Sequence, residues 1–158
     1  SEQQCQSILR IRTDFHVYEY KIELLRVVDG DTIEAYIDLG FHTFLKKSIR
    51  LDGINSPEKR TSNKREKLCG CAAEKWLQDQ IIGKALSINT KKNPFGKYGR
   101  PVGTLWINED VDLFTNVCLN ALSSGLYMPY GLKWYKLTEE KKHEFHVNAK
   151  KYLGVTNE

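Results

Sequence analysis

Polar and apolar residues alternate along the chain from Tyr18 to Leu24. Tyr18, Tyr20, Ile22 and Leu24 take one side; Glu19, Lys21 and Glu23 take the other. A period of two predicts a strand. It continues through Arg26-Val27-Val28 into Asp29-Gly30-Asp31, a turn sequence. Thr32–Ile37 reads as the return strand, Asp38-Leu39-Gly40 as a second turn, and Phe41–Leu51 as a third strand. The run Asp52-Gly53-Ile54-Asn55-Ser56-Pro57 breaks the pattern, and Pro57 holds Ser56 extended. From Asn63 to Ile82 the spacing becomes helical, with Leu68, Ala72, Trp76 and Ile81 near one face, Ala73 and Leu77 beside them, and Gly83 as the stop.

Residues 84–90 and 102–107 predict two further short strands, joined by a basic, glycine-containing loop over 91–101. Asn108-Glu109-Asp110 reads as a turn. Asp112 reads as the N-cap of a helix that ends near Ser124, with Gly125 beyond it. Thr138 caps a last helix that runs to about Leu153 and stops at Gly154. Three strands, a helix, two strands and two helices are the element order of an oligonucleotide/oligosaccharide-binding (OB) barrel, and other α+β folds share it. With 158 residues and no linker or repeat, one domain is expected over 1–158, with its core at about 15–153.

Composition narrows the class. The chain is 41% hydrophobic and 28% charged, as in globular proteins. No apolar run nears the ~18 residues of a membrane span. Ser1-Glu2-Gln3-Gln4 shows no secretory leader, so a cytoplasmic location is expected, with a removed leader or a phage origin left open. Cys5, Cys69, Cys71 and Cys118 make no C-x-x-C pair; they read as reduced structural thiols, with Cys71 and Cys118 buried in helices, and not as a zinc site or disulfide framework.

The net charge of +4 conceals a division. Residues 1–58 carry 7 basic and 10 acidic side chains, whereas residues 59–100 carry 11 and 3. An acidic knot beside a basic block suits a carboxylate or metal site next to a polyanion groove, and equally a solvated lysine-rich face.

The chemistry-bearing residues fall in this region. Asp29, Asp31, Glu34, Asp38, Asp52 and Glu58 lie within thirty residues, without the spacing of an EF-hand. Arg50 ends the third strand and offers a guanidinium fork for phosphate. In Lys97-Tyr98-Gly99-Arg100 the glycine permits a sharp turn before Arg100. Two arginines and one acid converging on a phosphodiester would hold the phosphoryl oxygens, offset charge in a five-coordinate transition state and take a proton from attacking water. A cation at Asp31 would add Lewis-acid polarisation.

Val27-Val28-Asp29-Gly30-Asp31-Thr32, then Ile49-Arg50-Leu51 with Gly53-Ile54-Asn55-Ser56-Pro57-Glu58, then Lys97-Tyr98-Gly99-Arg100, resemble the staphylococcal nuclease (thermonuclease) family. The resemblance covers most of residues 20–153. It implies a five-stranded OB barrel with about three packed helices, and a Ca²⁺-dependent, endonuclease-like hydrolase of DNA and/or RNA. With no extra apolar helix face to demand a partner and no membrane-spanning run, a monomer without a membrane is expected. By motif, Arg50 and Arg100 are the phosphate-binding arginines and Glu58 the general base. Asp31, Asn55 and Ser56 are the metal ligands, Ser56 through its carbonyl. Lys97, Tyr98 and Tyr130 are substrate contacts. Asn55 stands where the family commonly has a second metal-binding Asp, so one formal charge is missing and weaker calcium binding is expected. The alternative class is a non-catalytic OB-fold module that binds nucleic acid through a degenerate metal site.

Overall fold

A computed structural model of the chain describes residues 18–91, 94–96 and 99–155. Strands β1 (Tyr18–Asp29), β2 (Thr32–Asp38) and β3 (Phe44–Leu51) form the expected antiparallel meander. After a two-residue strand β4 (Ile54–Asn55) comes helix α1 (Lys64–Ile81). Strands β5 (Leu86–Thr90) and β6 (Val102–Asp110) follow, each antiparallel to its neighbour, so that β5 joins β1 to β6. The barrel closes through a parallel pairing of β3 with β6, Arg50 opposite Val102 and Leu51 opposite Gly103. The result is a five-stranded closed mixed barrel of the OB type, with three helices.

Register explains the core. In β2, Ile33, Ala35 and Ile37 point inward, and Ile49 and Leu51 of β3 meet them, joined by Leu86, Ile88, Leu105 and Ile107 from the other wall. Ala72, Ala73, Trp76 and Leu77 of α1 are buried in the same core. Burial of such side chains stabilises by roughly 1.5–3 kcal/mol each for the larger ones. α1 is started by Asn63, whose side chain accepts the Glu66 N–H, and its C-cap Ile82 precedes Gly83, which adopts φ +77°.

The C-terminal half departs from the expected pattern, first after β6. The strand predicted over 102–107 runs on to Asp110 and turns at Val111-Asp112 into β7 (Leu113–Asn116). Asp112 therefore caps nothing helical. Leu113-Phe114-Thr115 are strand formers with a partner at hand in β6, and pairing with it outweighs the capping preference of one aspartate. Asn116 takes the cap instead, its side chain accepting the Leu119 N–H at 3.1 Å, and α2 is the short helix Val117–Ser123. β8 (Met128–Pro129) pairs antiparallel with β4, a ladder too short to leave a periodic signal. A 3₁₀ turn (Trp134–Lys136) leads to α3 (Glu139–Leu153), capped by Thr138 and ended by Gly154 as expected. α3 lies against α1, tied by Arg65 to Glu139 at 2.9 Å and by the Tyr152 hydroxyl donating to Asp79 at 2.6 Å.

The third strand is also shorter than the pattern suggests. Phe41 and His42 have positive φ and belong to the turn, where Asp38 accepts the Gly40 N–H at 2.8 Å. Among the cysteines, Cys69 and Cys118 are buried free thiols, pushed up by burial to about 12 and about 11, while Cys71 is only half-buried. Cys5 lies outside the described residues.

Candidate active site

The β1–β2 turn reaches the mouth of the barrel and is pressed onto two other segments. A Cβ on Gly30 would lie 2.7 Å from the Ser56 Cβ and 2.8 Å from the Ala73 Cβ, so only glycine fits. The turn is tied by the Asp31 N–H, which donates to Asp29 Oδ1 at 3.1 Å. The Asp31 carboxylate is thereby aimed at the chain after β4. Its Oδ2 accepts the Ser56 N–H at 3.0 Å and the Ser56 hydroxyl at 3.1 Å, and its Oδ1 accepts the Thr32 hydroxyl at 3.0 Å.

Arg50 enters from β3, directly across the ladder from Thr32. Its Nη1 donates to the carbonyls of Asp31 (3.3 Å) and Leu51 (3.0 Å). Its Nη2 stands 3.4 Å from Asn55 Oδ1 and 3.3 Å from Asp31 Oδ2. Main-chain bonds fix one edge of the guanidinium, and the Asp31 charge holds the other. The Arg50 N–H donates to Pro101 O at 2.9 Å, so the segment that carries Arg100 begins β6 beside the same opening.

Asp31, Arg50, Asn55 and Ser56 thus form one hydrogen-bonded cluster, although they come from three stretches of chain. Glu58 is exposed on the loop that follows. With Val28, Asp29, Ser56, Pro57, Lys59 and Arg60 it lines a depression of about 100 Å³ next to the cluster. Tyr130 is exposed beyond β8, its N–H donating to Gly53 O at 3.1 Å. Lys97 and Tyr98 lie outside the described residues.

The two turn carboxylates are driven apart in acidity. Burial, with Asp31 and Glu58 close by, raises Asp29 from 3.8 to about 6. For Asp31 burial acts in the same upward direction, but hydrogen bonding with Asp29, the Arg50 charge and the donors Ser56 and Thr32 outweigh it and bring it below the ordinary value. At neutral pH Asp31 is therefore a fixed anion beside the guanidinium.

Asn55 uses both ends of its amide. The Oδ1 faces Arg50, and the Nδ2 donates at 2.8 Å to the carbonyl of Leu132, 77 residues away in sequence. A carboxylate cannot make the second bond. For a cation, the donors near Asp31 are of the right kind for calcium: one carboxylate, the Asn55 amide oxygen and the Ser56 carbonyl are all hard oxygens. Among the described residues, no three His, Cys, Asp or Glu side chains stand together as a metal cluster. The set fits Ca²⁺ by donor type and carries a single formal charge.

Sequence reasoning missed the partners of these residues. The Leu132 carbonyl leaves no sequence signal. Gly70 did leave one: a glycine inside an 18-residue helix, between two cysteines, marks a place where another backbone comes close.

A closed OB-type barrel with an Asp–Arg cluster at its mouth, beside a second arginine segment and an exposed glutamate, defines a nuclease-like protein. The chain matches the staphylococcal nuclease homologue family over residues 48–151 and belongs to it. Members of that family are generally nucleases and typically use Ca²⁺. The chain is also 29% identical over 93 residues to Protein ParB of Escherichia coli, an alignment that covers 59% of this chain and 45% of ParB. It thus spans less than half the length of that curated relative.

Proposed function

We propose that the protein is a metal-dependent nuclease that hydrolyses phosphodiester bonds of DNA and/or RNA, with Glu58 as general base and Arg50 and Arg100 stabilising the phosphoryl transition state. The observation that carries this reading is the seating of Arg50. Its main chain is bonded to Pro101, next to Arg100, and its guanidinium is held by the Asp31 carboxylate and by the carbonyls of Asp31 in the turn and Leu51 in β3. A guanidinium fixed in this way needs no reorganisation when negative charge grows on a phosphoryl group.

In this mechanism Arg50 and Arg100 bind the phosphate oxygens and orient phosphorus. Glu58, open to solvent and next to the depression, takes a proton from a water molecule as its oxygen bonds to phosphorus. The bond from phosphorus to the leaving sugar oxygen breaks, and that oxygen takes the electron pair and a proton from solvent. Asp31, Asn55 and Ser56 are the residues that would hold Ca²⁺; when bound, it supplies Lewis-acid polarisation of a phosphoryl oxygen. Lys97, Tyr98 and Tyr130 are proposed to contact the substrate flanking the cut.

The test is incubation of the purified protein with plasmid and with single-stranded DNA, in millimolar Ca²⁺ and in chelator. Cleavage with calcium and protection by chelator are expected. A specific observation favours a second reading, the non-catalytic binding module: every Asp31 oxygen already accepts protein donors, and Asn55 is committed to Arg50 and Leu132. DNA that is retarded on a gel yet stays intact at millimolar calcium would establish that reading instead.

A further inference from the structure

We propose that a stripe of α1, Glu66, Gly70 and Glu74, is a positioning rail that sets where Glu58 stands. The inference rests on the reading of Glu58 as general base and adds three residues to it. The three lie at successive i, i+4 steps and so share one face of the helix. Each meets the Glu58-Lys59 segment in a different way.

Glu66 accepts the Glu58 main-chain N–H at 3.2 Å. One turn on, a Cβ at Gly70 would stand 2.7 Å from the Glu58 carbonyl carbon, 2.7 Å from the Lys59 nitrogen and 2.8 Å from the Glu58 oxygen. These are backbone atoms that cannot rotate away, so the missing side chain is the space the peptide occupies. One turn further, Glu74 pairs with the Lys59 ammonium at 2.7 Å, with only 17% of the Glu74 side chain exposed. The peptide after Glu58 is therefore bound ahead of, at and beyond its own position. The rail is anchored in turn: Asn63 accepts the Glu66 N–H at 3.0 Å, which fixes the first helical turn, and Ala72, Ala73 and Leu77 hold the helix in the core.

The functional logic follows from exposure. Glu58 is exposed, yet a general base must lie within hydrogen-bond reach of the attacking water. A main chain clamped to a rigid helix supplies that precision, and a displacement on the order of 1 Å costs about 100-fold in rate. Glu66, Gly70 and Glu74 touch no substrate in this scheme; they act through Glu58.

The experiment is a set of variants assayed for kcat and KM on single-stranded DNA in saturating Ca²⁺: Glu58→Gln, Gly70→Ala, Glu66→Ala, Glu66→Gln, and Gly70→Ala and Glu66→Ala each combined with Glu58→Gln. Gly70→Ala is expected to lower kcat by about 10- to 100-fold with KM changed less than about threefold. Glu66→Ala lowers kcat less, and Glu66→Gln, which keeps an acceptor oxygen, restores most of the loss. In the Glu58→Gln background neither Gly70→Ala nor Glu66→Ala lowers kcat further, because the group they position is already lost. Should Gly70→Ala fail to fold, the Glu66 variants, on the helix surface, carry the same comparison. Wild-type kcat in Gly70→Ala or Glu66→Ala, or full multiplication of their effects with that of Glu58→Gln, overturns the rail while leaving the base intact. Wild-type kcat in Glu58→Gln overturns the reading of the base, and the rail with it.

Discussion

Asn55 differs from an aspartate by one amide group, and the structure gives that group a partner. Its Nδ2 donates to Leu132 O at 2.8 Å, whereas a carboxylate would set two acceptors against each other. Asn55→Asp is therefore expected to lower stability by about 1–3 kcal/mol in urea unfolding, and also to lower the calcium needed for half-maximal activity by restoring a ligand charge. An unchanged urea midpoint would show that the Leu132 bond contributes nothing. An unchanged calcium requirement would remove residue 55 from the metal site. Asp29 supplies a second test at this scale. Its carboxyl is raised to about 6 in the folded chain, against 3.8 ordinarily. Below about pH 4 both folded and unfolded chains keep the proton; as pH rises toward 6 the unfolded chain releases it more readily, so the Asp29 contribution to stability is lost over that window. Asp31 runs the other way, its contribution present above its ordinary value and lost as pH falls. Asp29→Asn should accordingly gain stability over the wild type at pH 7 compared with pH 4, measured as the difference between urea midpoints. A difference independent of pH would contradict the weakened acidity of Asp29 in the folded chain.

At the scale of elements, α2 shows what a sequence hides. Asp112 and Asn116 are both good caps, and Asn120 and Gly125 extend the polar punctuation around them. The choice falls to Asn116 because β7 pairs with β6, Ile107 opposite Thr115, and so consumes the residues before it. Tertiary pairing of this kind leaves no mark in local spacing. Asn116→Ala is expected to cost about 1 kcal/mol, while Asp112→Ala stays within about 0.5 kcal/mol, as for an exposed turn residue. Thermal unfolding of the two variants decides it, and equal losses would return the cap to Asp112. The first three strands and the flanking helices were legible because each repeats its period over several residues. Asp31, Arg50 and Asn55-Ser56 were singled out differently, by short motifs that resemble the family at the points where the strand pattern breaks, and the structure brings them together at one cluster. The β4–β8 ladder was not legible, since two residues carry no period, and the Asn55–Leu132 bond depends on it.

For the whole molecule, the decisive feature is barrel closure. Antiparallel neighbours run in the order β3-β2-β1-β5-β6, with β7 beyond β6, and the parallel pairing of β3 with β6 joins Arg50 to the segment that follows Arg100. Gly103 stands opposite Leu51 in that pairing and close against β5 on its other side: a Cβ there would stand 2.6 Å from Ile88 Cγ1 and 2.9 Å from Asn89 O. Gly103→Ala is expected to destabilise by about 1–3 kcal/mol as the added methyl pushes β6 off β5, and to weaken DNA binding as β6 passes that shift to its pairing with Arg50 and Leu51, checked by urea unfolding and DNA retention. A stable variant with normal affinity would show that the seam does not set the site. The most direct measurement for the molecule as a whole is paired: turnover and equilibrium binding of Glu58→Gln on the same single-stranded DNA, with calcium. Loss of turnover by about 10²- to 10⁴-fold with affinity held within a few-fold is the expected result; equal loss of both, or no loss of turnover, would contradict a hydrolytic role for this carboxylate.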